Sequence, residues 1–437
     1  MLREMETPIY SRLEQYHKEN RISFAMPGHK NMRGLGLNPV VCDVTELPKT
    51  LNLLSDDKTT ERANELLSEL YGSKQSFILT CGSTSCIHAM LLGVLAPDDT
   101  LLISPDCHIS VIHACAIMGV KIKVMGDMSD ITHDVAAVLI TSPNYYGVVK
   151  DIKSISDKCH SIDIPLLVDE AHGAHFTGRY GLPKSAIVLG ADIVCQSAHK
   201  TLNALTGAAY LHICSDMIDT NRLRTAIRMV HTTSPSYMIA ASADIARKTL
   251  SECDYTEIIN ECSEFKTVIE ERTRISVMKN DDPTRIVLDF TRCGLTGFKV
   301  LDTLSERYMI DVEMADMTNI VLIATPYNRH SDFVSLYHAL TEITQDCNGV
   351  VPNISKPPEI TGVSDPRLGC FRPTEWVALK YAAGRISAAT VCMYPPGAAL
   401  IITGQTITRS VACYIDEIIG MGAEVVGVTD GKIEVVT

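Results

Sequence analysis

Five short apolar runs, each ending in a cluster of polar residues, constrain this chain more than any other feature. They lie at 76–80, 100–103, 137–141, 164–168 and 192–195, separated by stretches with helical spacing. Several are nearly continuous in hydrophobic residues, as strands covered on both faces by helices must be. The pattern predicts an α/β fold built on a mostly parallel sheet. In such sheets ligands bind beyond the carboxyl ends of the strands. Those ends lead into Gly82-Ser83-Thr84-Ser85, Ser104-Pro105-Asp106-Cys107-His108, Ser142-Pro143-Asn144-Tyr145-Tyr146, Asp169-Glu170-Ala171-His172 and Ser197-Ala198-His199-Lys200. Five polar clusters are therefore expected to converge on one rim.

Downstream, strand-like segments at 285–290 and 320–324 flank a helical stretch around 297–307, which predicts a smaller α/β unit. Pro-rich residues 351–358 read as a linker before a last unit that begins near Asp365. The expected organisation is an N-terminal arm over 1–30, a large domain over 31–252, a small α/β domain over 253–350 and a C-terminal domain over 360–437. Hydrophobic residues make up 46% and charged residues 21%, which excludes long disorder. With 52 Asp and Glu against 39 Lys and Arg, the chain lacks the basic surplus that a nucleic-acid partner requires. The first residues carry no apolar leader and no later window approaches a membrane span, so a cytoplasmic, non-membrane protein is expected. The 15 cysteines include no C-x-x-C pair, so reduced thiols and no metal centre are expected.

Three of the rim clusters carry chemistry. A strand followed by Gly82 and three hydroxyl residues that open a helix offers free amides and a favourable dipole to phosphate. An ordinary N-cap box would read the same. Asp169 ends the most apolar strand, where a carboxylate needs a cation or a set of donors. A protonated pyridine nitrogen is such a cation, and a carboxylate beside it strengthens the ring as an electron sink. A structural helix cap is the plain alternative. Lys200 lies at the same rim among hydroxyls and a histidine, where a deprotonated amine is a Schiff-base former. A solvated surface lysine is the usual case, and the joint order of phosphate loop, strand-end Asp and Ser-x-His-Lys argues against it.

Taken together these motifs resemble the short bacterial form of the ornithine/lysine/arginine decarboxylase family, pyridoxal 5′-phosphate (PLP) enzymes of the aspartate-aminotransferase fold, fold type I. The resemblance covers nearly the whole chain. It is carried by Met26-Pro27-Gly28-His29-Lys30, by the run from Asp169 to Phe176, by Gln196-Ser197-Ala198-His199-Lys200-Thr201-Leu202, by Thr232-Thr233-Ser234-Pro235-Ser236-Tyr237 and by Tyr394-Pro395-Pro396-Gly397.

The resemblance implies that Lys200 carries PLP, that Asp169 pairs with the pyridinium and that His108 stacks on the ring. It implies that Ser83, Thr84, Ser197 and His199, with Ser85 beside them, bind the phosphate, while Ala171 and His172 line the ring and its phenolic oxygen. Thr233 or Ser234 would reach the phosphate of a neighbouring subunit, so a homodimer or tetramer is expected. Of the acidic residues Asp311, Glu313 and Asp316, Glu313 matches a family acid and is expected to meet the substrate's distal cation; a solvated acidic loop is the plain alternative.

The implied reaction is decarboxylation of arginine, lysine or ornithine to an amine for polyamine synthesis, with Lys200 or a neighbouring histidine, His172 among them, returning a proton to Cα. Departures from the family's usual pattern fall at Cys81, Cys86, Pro105, Ile109, Ala398, Ala399 and Gln405. They leave open other PLP chemistry, such as aminotransfer or elimination, and a PLP-binding protein with little turnover. A nicotinamide dehydrogenase is disfavoured, because no G-x-G-x-x-G follows the first strand.

Overall fold

The computed structural model describes residues 16, 18–30, 33, 42–46, 50–55, 58–345, 347, 349, 358–393 and 399–437. The motif at 394–397 and Ala398 lie outside them. After strand β1 (Ile22–Phe24) and helix α1 (Lys58–Tyr71), the alternation becomes β2 (Gln75–Leu79), α2 (Gly82–Val94), β3 (Thr100–Ile103), α3 (Ile109–Met118), β4 (Lys121–Val124), β5 (Ala137–Thr141), α4 (Ile152–His160), β6 (Leu166–Asp169), β7 (Ile193–Gln196), α5 (Ala198–Thr201) and β8 (Ala209–Ile213).

These strands form one sheet in the order β4-β3-β5-β6-β7-β8-β2. From β4 to β7 all pairings are parallel. Strand β8 runs antiparallel to both β7 and β2, so β2 points the same way as β7 and the carboxyl ends of β2, β3, β5, β6 and β7 share one rim. The chain reverses its direction of travel across the sheet at β3, which lies between β4 and β5. Such a switch opens a crevice for ligands.

Alternation within the strands builds two cores, because successive side chains point to opposite faces. Leu102, Val138, Ile140, Leu166, Val168 and Val194 pack on one face. Leu101, Ile103, Leu139, Leu167, Ile193 and Cys195 pack on the other. Each such aliphatic side chain contributes about 1.5–3 kcal/mol when fully buried.

Helices α6 (Thr220–Val230), α7 (Tyr237–Glu252) and α8 (Thr256–Arg272) lead to a second unit: β9 (Ser276–Val277), β10 (Arg285–Asp289), α9 (Gly297–Tyr308), β11 (Ile310–Val312), β12 (Met314–Ala315), β13 (Asn319–Ile323) and α10 (His330–Thr344). Its four-stranded sheet, β12-β13-β10-β9, is antiparallel throughout. One apolar core runs from the large sheet into this unit through Ile286, Leu288, Leu322 and Leu336. Strand β1 pairs in parallel with β11, Ile22 opposite Ile310.

The C-terminal residues form small antiparallel sheets and the helix Arg409–Gly420 around a separate core that includes Leu379, Ile401, Ile415 and Ile433. Before them, Val363–Ser364 adds an antiparallel edge strand to β4 of the large sheet. Among the described residues no helix is long and apolar enough to cross a membrane.

Candidate active site

The rim of the large sheet opens into a cavity of about 480 Å³. Gly82, Ser83 and Thr84 from the start of α2, His108, Asp169, Ala171, His172, His199 and Lys200 all line it. Four of the five strand-end clusters thus supply the expected residues to one space, and the fifth supplies Asn144, Tyr145 and Tyr146.

Helix α2 begins without a side-chain cap, since Cys81 makes no capping hydrogen bond. The Gly82 amide donates to the Gly207 carbonyl at 2.8 Å, and the next two amides, of Ser83 and Thr84, stand at the positive end of the helix, where an anion is favoured. Ser197 precedes α5, and its Oγ is sealed from solvent without a hydrogen-bond partner. Among the described residues this hydroxyl is unsatisfied, and Ser197 itself does not line the cavity, lying behind its neighbours His199 and Lys200. His199 donates Nδ1–H to the Ala208 carbonyl at 2.9 Å, which leaves Nε2 for a ligand. Burial pushes its pKa down to about 4. A phosphate beside it would favour the charged form.

His108 caps α3 through Nδ1, which accepts from the Ser110 amide at 3.2 Å and lies 2.8 Å from Ser110 Oγ. That anchor fixes the ring plane. Asp169 ends β6 nearly sealed from solvent, and burial pushes its pKa up while the charges of His108 and Lys200 oppose the shift. Burial likewise pushes the Lys200 amine down. Lys200 Nζ lies 3.0 Å from His172 Nε2, and the His172 ring packs against Tyr145 with centroids 4.4 Å apart.

Sequence comparison places the chain in a known family. The model of the Orn/Lys/Arg decarboxylase major domain matches residues 7–125 and 121–290, and that of the C-terminal domain matches 370–428. The chain belongs to the Orn/Lys/Arg decarboxylase family. It is similar to an arginine decarboxylase of Bacillus subtilis, 30% identical across 99% of this chain and 97% of that protein. An arginine decarboxylase of Halalkalibacterium halodurans is 29% identical across 98% of this chain and 97% of that protein. The fold is that of PLP-dependent fold type I; lysine decarboxylase A from Pseudomonas aeruginosa superposes with a TM-score of 0.77 over 98% of this chain and 80% of that one, at 17% identity.

Membership of the decarboxylase family implies PLP, and the donor set fits it: an uncapped helix start and an orphaned hydroxyl for phosphate, a buried carboxylate for a ring cation, and a half-buried lysine amine on the cavity wall for the aldehyde. Other expected residues sit apart from the cavity. Ser85 turns back along α2, its Oγ donating to the Cys81 carbonyl at 3.2 Å. Thr233 and Ser234 are exposed on this single chain.

The acidic residues of the second unit are engaged elsewhere. Asp311 holds Arg21 at 2.6 Å and accepts from Tyr16 at 2.7 Å. Asp316 accepts from the Tyr146 hydroxyl at 2.7 Å and from Asn319. Glu313 does not line the cavity; it accepts from Tyr145, which does, at 2.6 Å and from the Met26 amide at 2.9 Å.

Residues to which the sequence assigned no role complete the site. Met26 reaches it because the arm docks on the second unit, and Asp106 enters with Lys150 at 2.5 Å. Arg285, behind His172, carried no signal: a basic residue opening a strand reads as a solvent-facing charge.

Proposed function

We propose that this protein decarboxylates a basic amino acid, arginine, lysine or ornithine, to the corresponding amine, using PLP held by Lys200. The observation that carries the reading is a half-buried lysine and a buried carboxylate opening on one cavity whose wall includes an uncapped helix start. The names of the similar proteins, arginine decarboxylases, support the reaction and the substrate class. Polyamine supply in the cytoplasm is the use that this product class suggests.

In this reading the amides of Ser83 and Thr84, with the side chains of Ser83, Thr84, Ser197 and His199, hold the phosphate. Asp169 pairs with the ring nitrogen, His108 covers one face and Ala171 and His172 line the ring. When bound, PLP supplies a cationic conjugated ring that takes up the electron pair left by the departing carboxylate. Lys200, whose pKa burial lowers, is able to act as nucleophile and later, with His172 beside it, to return a proton to Cα. Met26, Ile87 and Ala171 give the cavity an apolar wall that limits water. Glu313 supports the substrate's distal cation from behind Tyr145, whose hydroxyl it polarises.

Exposed Thr233 and Ser234 would complete the phosphate site of a second copy, which makes a homodimer the working form. The deciding measurement is CO₂ and amine release from the three amino acids by PLP-loaded protein beside Lys200→Ala. We expect release from at least one of them and none from the variant, which also lacks the visible band of lysine-bound cofactor. A wild-type visible band without turnover of any of the three would keep cofactor and fold and reject the substrate class.

A further inference from the structure

We propose that Arg285 sets the tautomer of His172, so that its Nε2–H is donated to Lys200 and the Lys200 amine is held as an uncharged acceptor. The inference rests on the reading above only in taking Lys200 as the amine that receives the cofactor. Arg285 opens β10 and is fully buried. Room for it comes from Gly147, where a Cβ would stand 2.9 Å from the Arg285 Cβ.

Arg285 Nη2 lies 3.4 Å from His172 Nδ1, and His172 Nε2 lies 3.0 Å from Lys200 Nζ. A guanidinium donates and never accepts. The ring nitrogen that faces it must therefore be the bare one. A neutral imidazole has one N–H, which then sits on Nε2. An ammonium on Lys200 would set N–H against N–H, whereas a free amine offers its lone pair. The chain of donors thus runs in one direction, from a permanent cation to a free base. A charged imidazolium would break it at Nδ1, and burial together with the charge of Arg285 holds His172 well below its ordinary pKa.

Other groups around Lys200 pull both ways. Asp169 from β6, Glu313 between β11 and β12 and Cys195 from β7 favour its charged form. Burial and Arg285 disfavour it, and the neutral histidines His108 and His199 stand nearby. Arg285 is not itself paired closely enough to lose its effect: Asp282 Oδ2 is 3.9 Å from Nε, and Asp282 is already held by His175 at 3.2 Å and Thr284 at 2.7 Å. Arg285 is thus a positioning residue, acting on the lysine through His172 and through its charge.

The test uses full-length protein freed of cofactor as wild type, Arg285→Met and Arg285→Lys, each checked for folding by circular dichroism. The rate at which the visible band appears after PLP is added is followed from about pH 6 to about pH 10, since it reports the fraction of free amine. In Arg285→Met the midpoint should move upward and capture at neutral pH should slow about tenfold. Arg285→Lys, which keeps a donor-only cation, should recover most of the shift. A Met variant with the wild-type midpoint, or a Lys variant no better than Met, overturns the inference.

Should Arg285→Met not fold, the wild type decides alone through the ¹⁵N resonances of His172, assigned with His172→Gln. A bare Nδ1 with protonated Nε2 supports the arrangement, and a protonated Nδ1 overturns it. Absence of any band in wild type would reject the cofactor reading, and the ¹⁵N spectrum would still decide the tautomer.

Discussion

Among the described residues the Asp169 carboxylate accepts one hydrogen bond, from the Ala171 amide at 3.1 Å. A nearly sealed carboxylate with so few donors is costly to keep ionised unless a cation joins it. That deficit suits a ring nitrogen and sets the prediction for this position. Asp169→Asn should keep a measurable fraction of bound cofactor and lose at least about a hundredfold in turnover, because the amide cannot hold the ring's positive charge. Steady-state rates at matched cofactor content check it, and a rate close to wild type would end the electron-sink role. Asp169 and Lys200 were readable before the structure, since each closes an apolar run within a distinctive motif. Arg285 was not, because its burial depends on Gly147 and the second unit closing over it.

At the level of elements, the arm and the lysine-bearing turn are joined by direct contact. The Gly28 amide donates to the His199 carbonyl at 2.9 Å, and a Cβ on Gly28 would meet the Leu202 carbonyl oxygen at 2.4 Å, so only glycine permits this approach. Two residues on, the fully buried Lys30 donates to the Ala25 and Ile323 carbonyls at 2.7 and 2.9 Å. Two acceptors match the two N–H bonds of a neutral amine, and burial lowers its pKa to about 7. Between that value and the ordinary lysine value of about 10.4, the unfolded chain holds a proton that the folded one lacks. This group's contribution therefore makes stability rise with pH across that window. Denaturation midpoints compared at about pH 7 and about pH 8.5 should show a larger rise in wild type than in Lys30→Met. Equal slopes would mean that Lys30 stays charged in the fold.

Across the whole molecule, the core that continues from the large sheet into the second unit holds Arg285 and Glu313 against rim residues 113 and 168 positions earlier in the chain. A second copy would extend the same logic between chains. If Thr233 and Ser234 serve a neighbour's phosphate, Lys200→Ala subunits refolded with Thr233→Ala/Ser234→Ala subunits should regain about a quarter of wild-type activity, through the one intact site of each mixed dimer. No recovery on mixing would place that segment outside the site. By itself the sequence determined the strand-end clusters, the order of phosphate loop, carboxylate and lysine, and hence the α/β class, because period-two burial and motif chemistry are local properties of the chain. Only the tertiary structure decided that the second unit's sheet is antiparallel, that Asp311 and Asp316 are held by Arg21, Tyr146 and Asn319, and that a guanidinium stands behind His172. Those facts depend on which distant surfaces close together, and side-chain partners across such a contact leave no local periodicity to read.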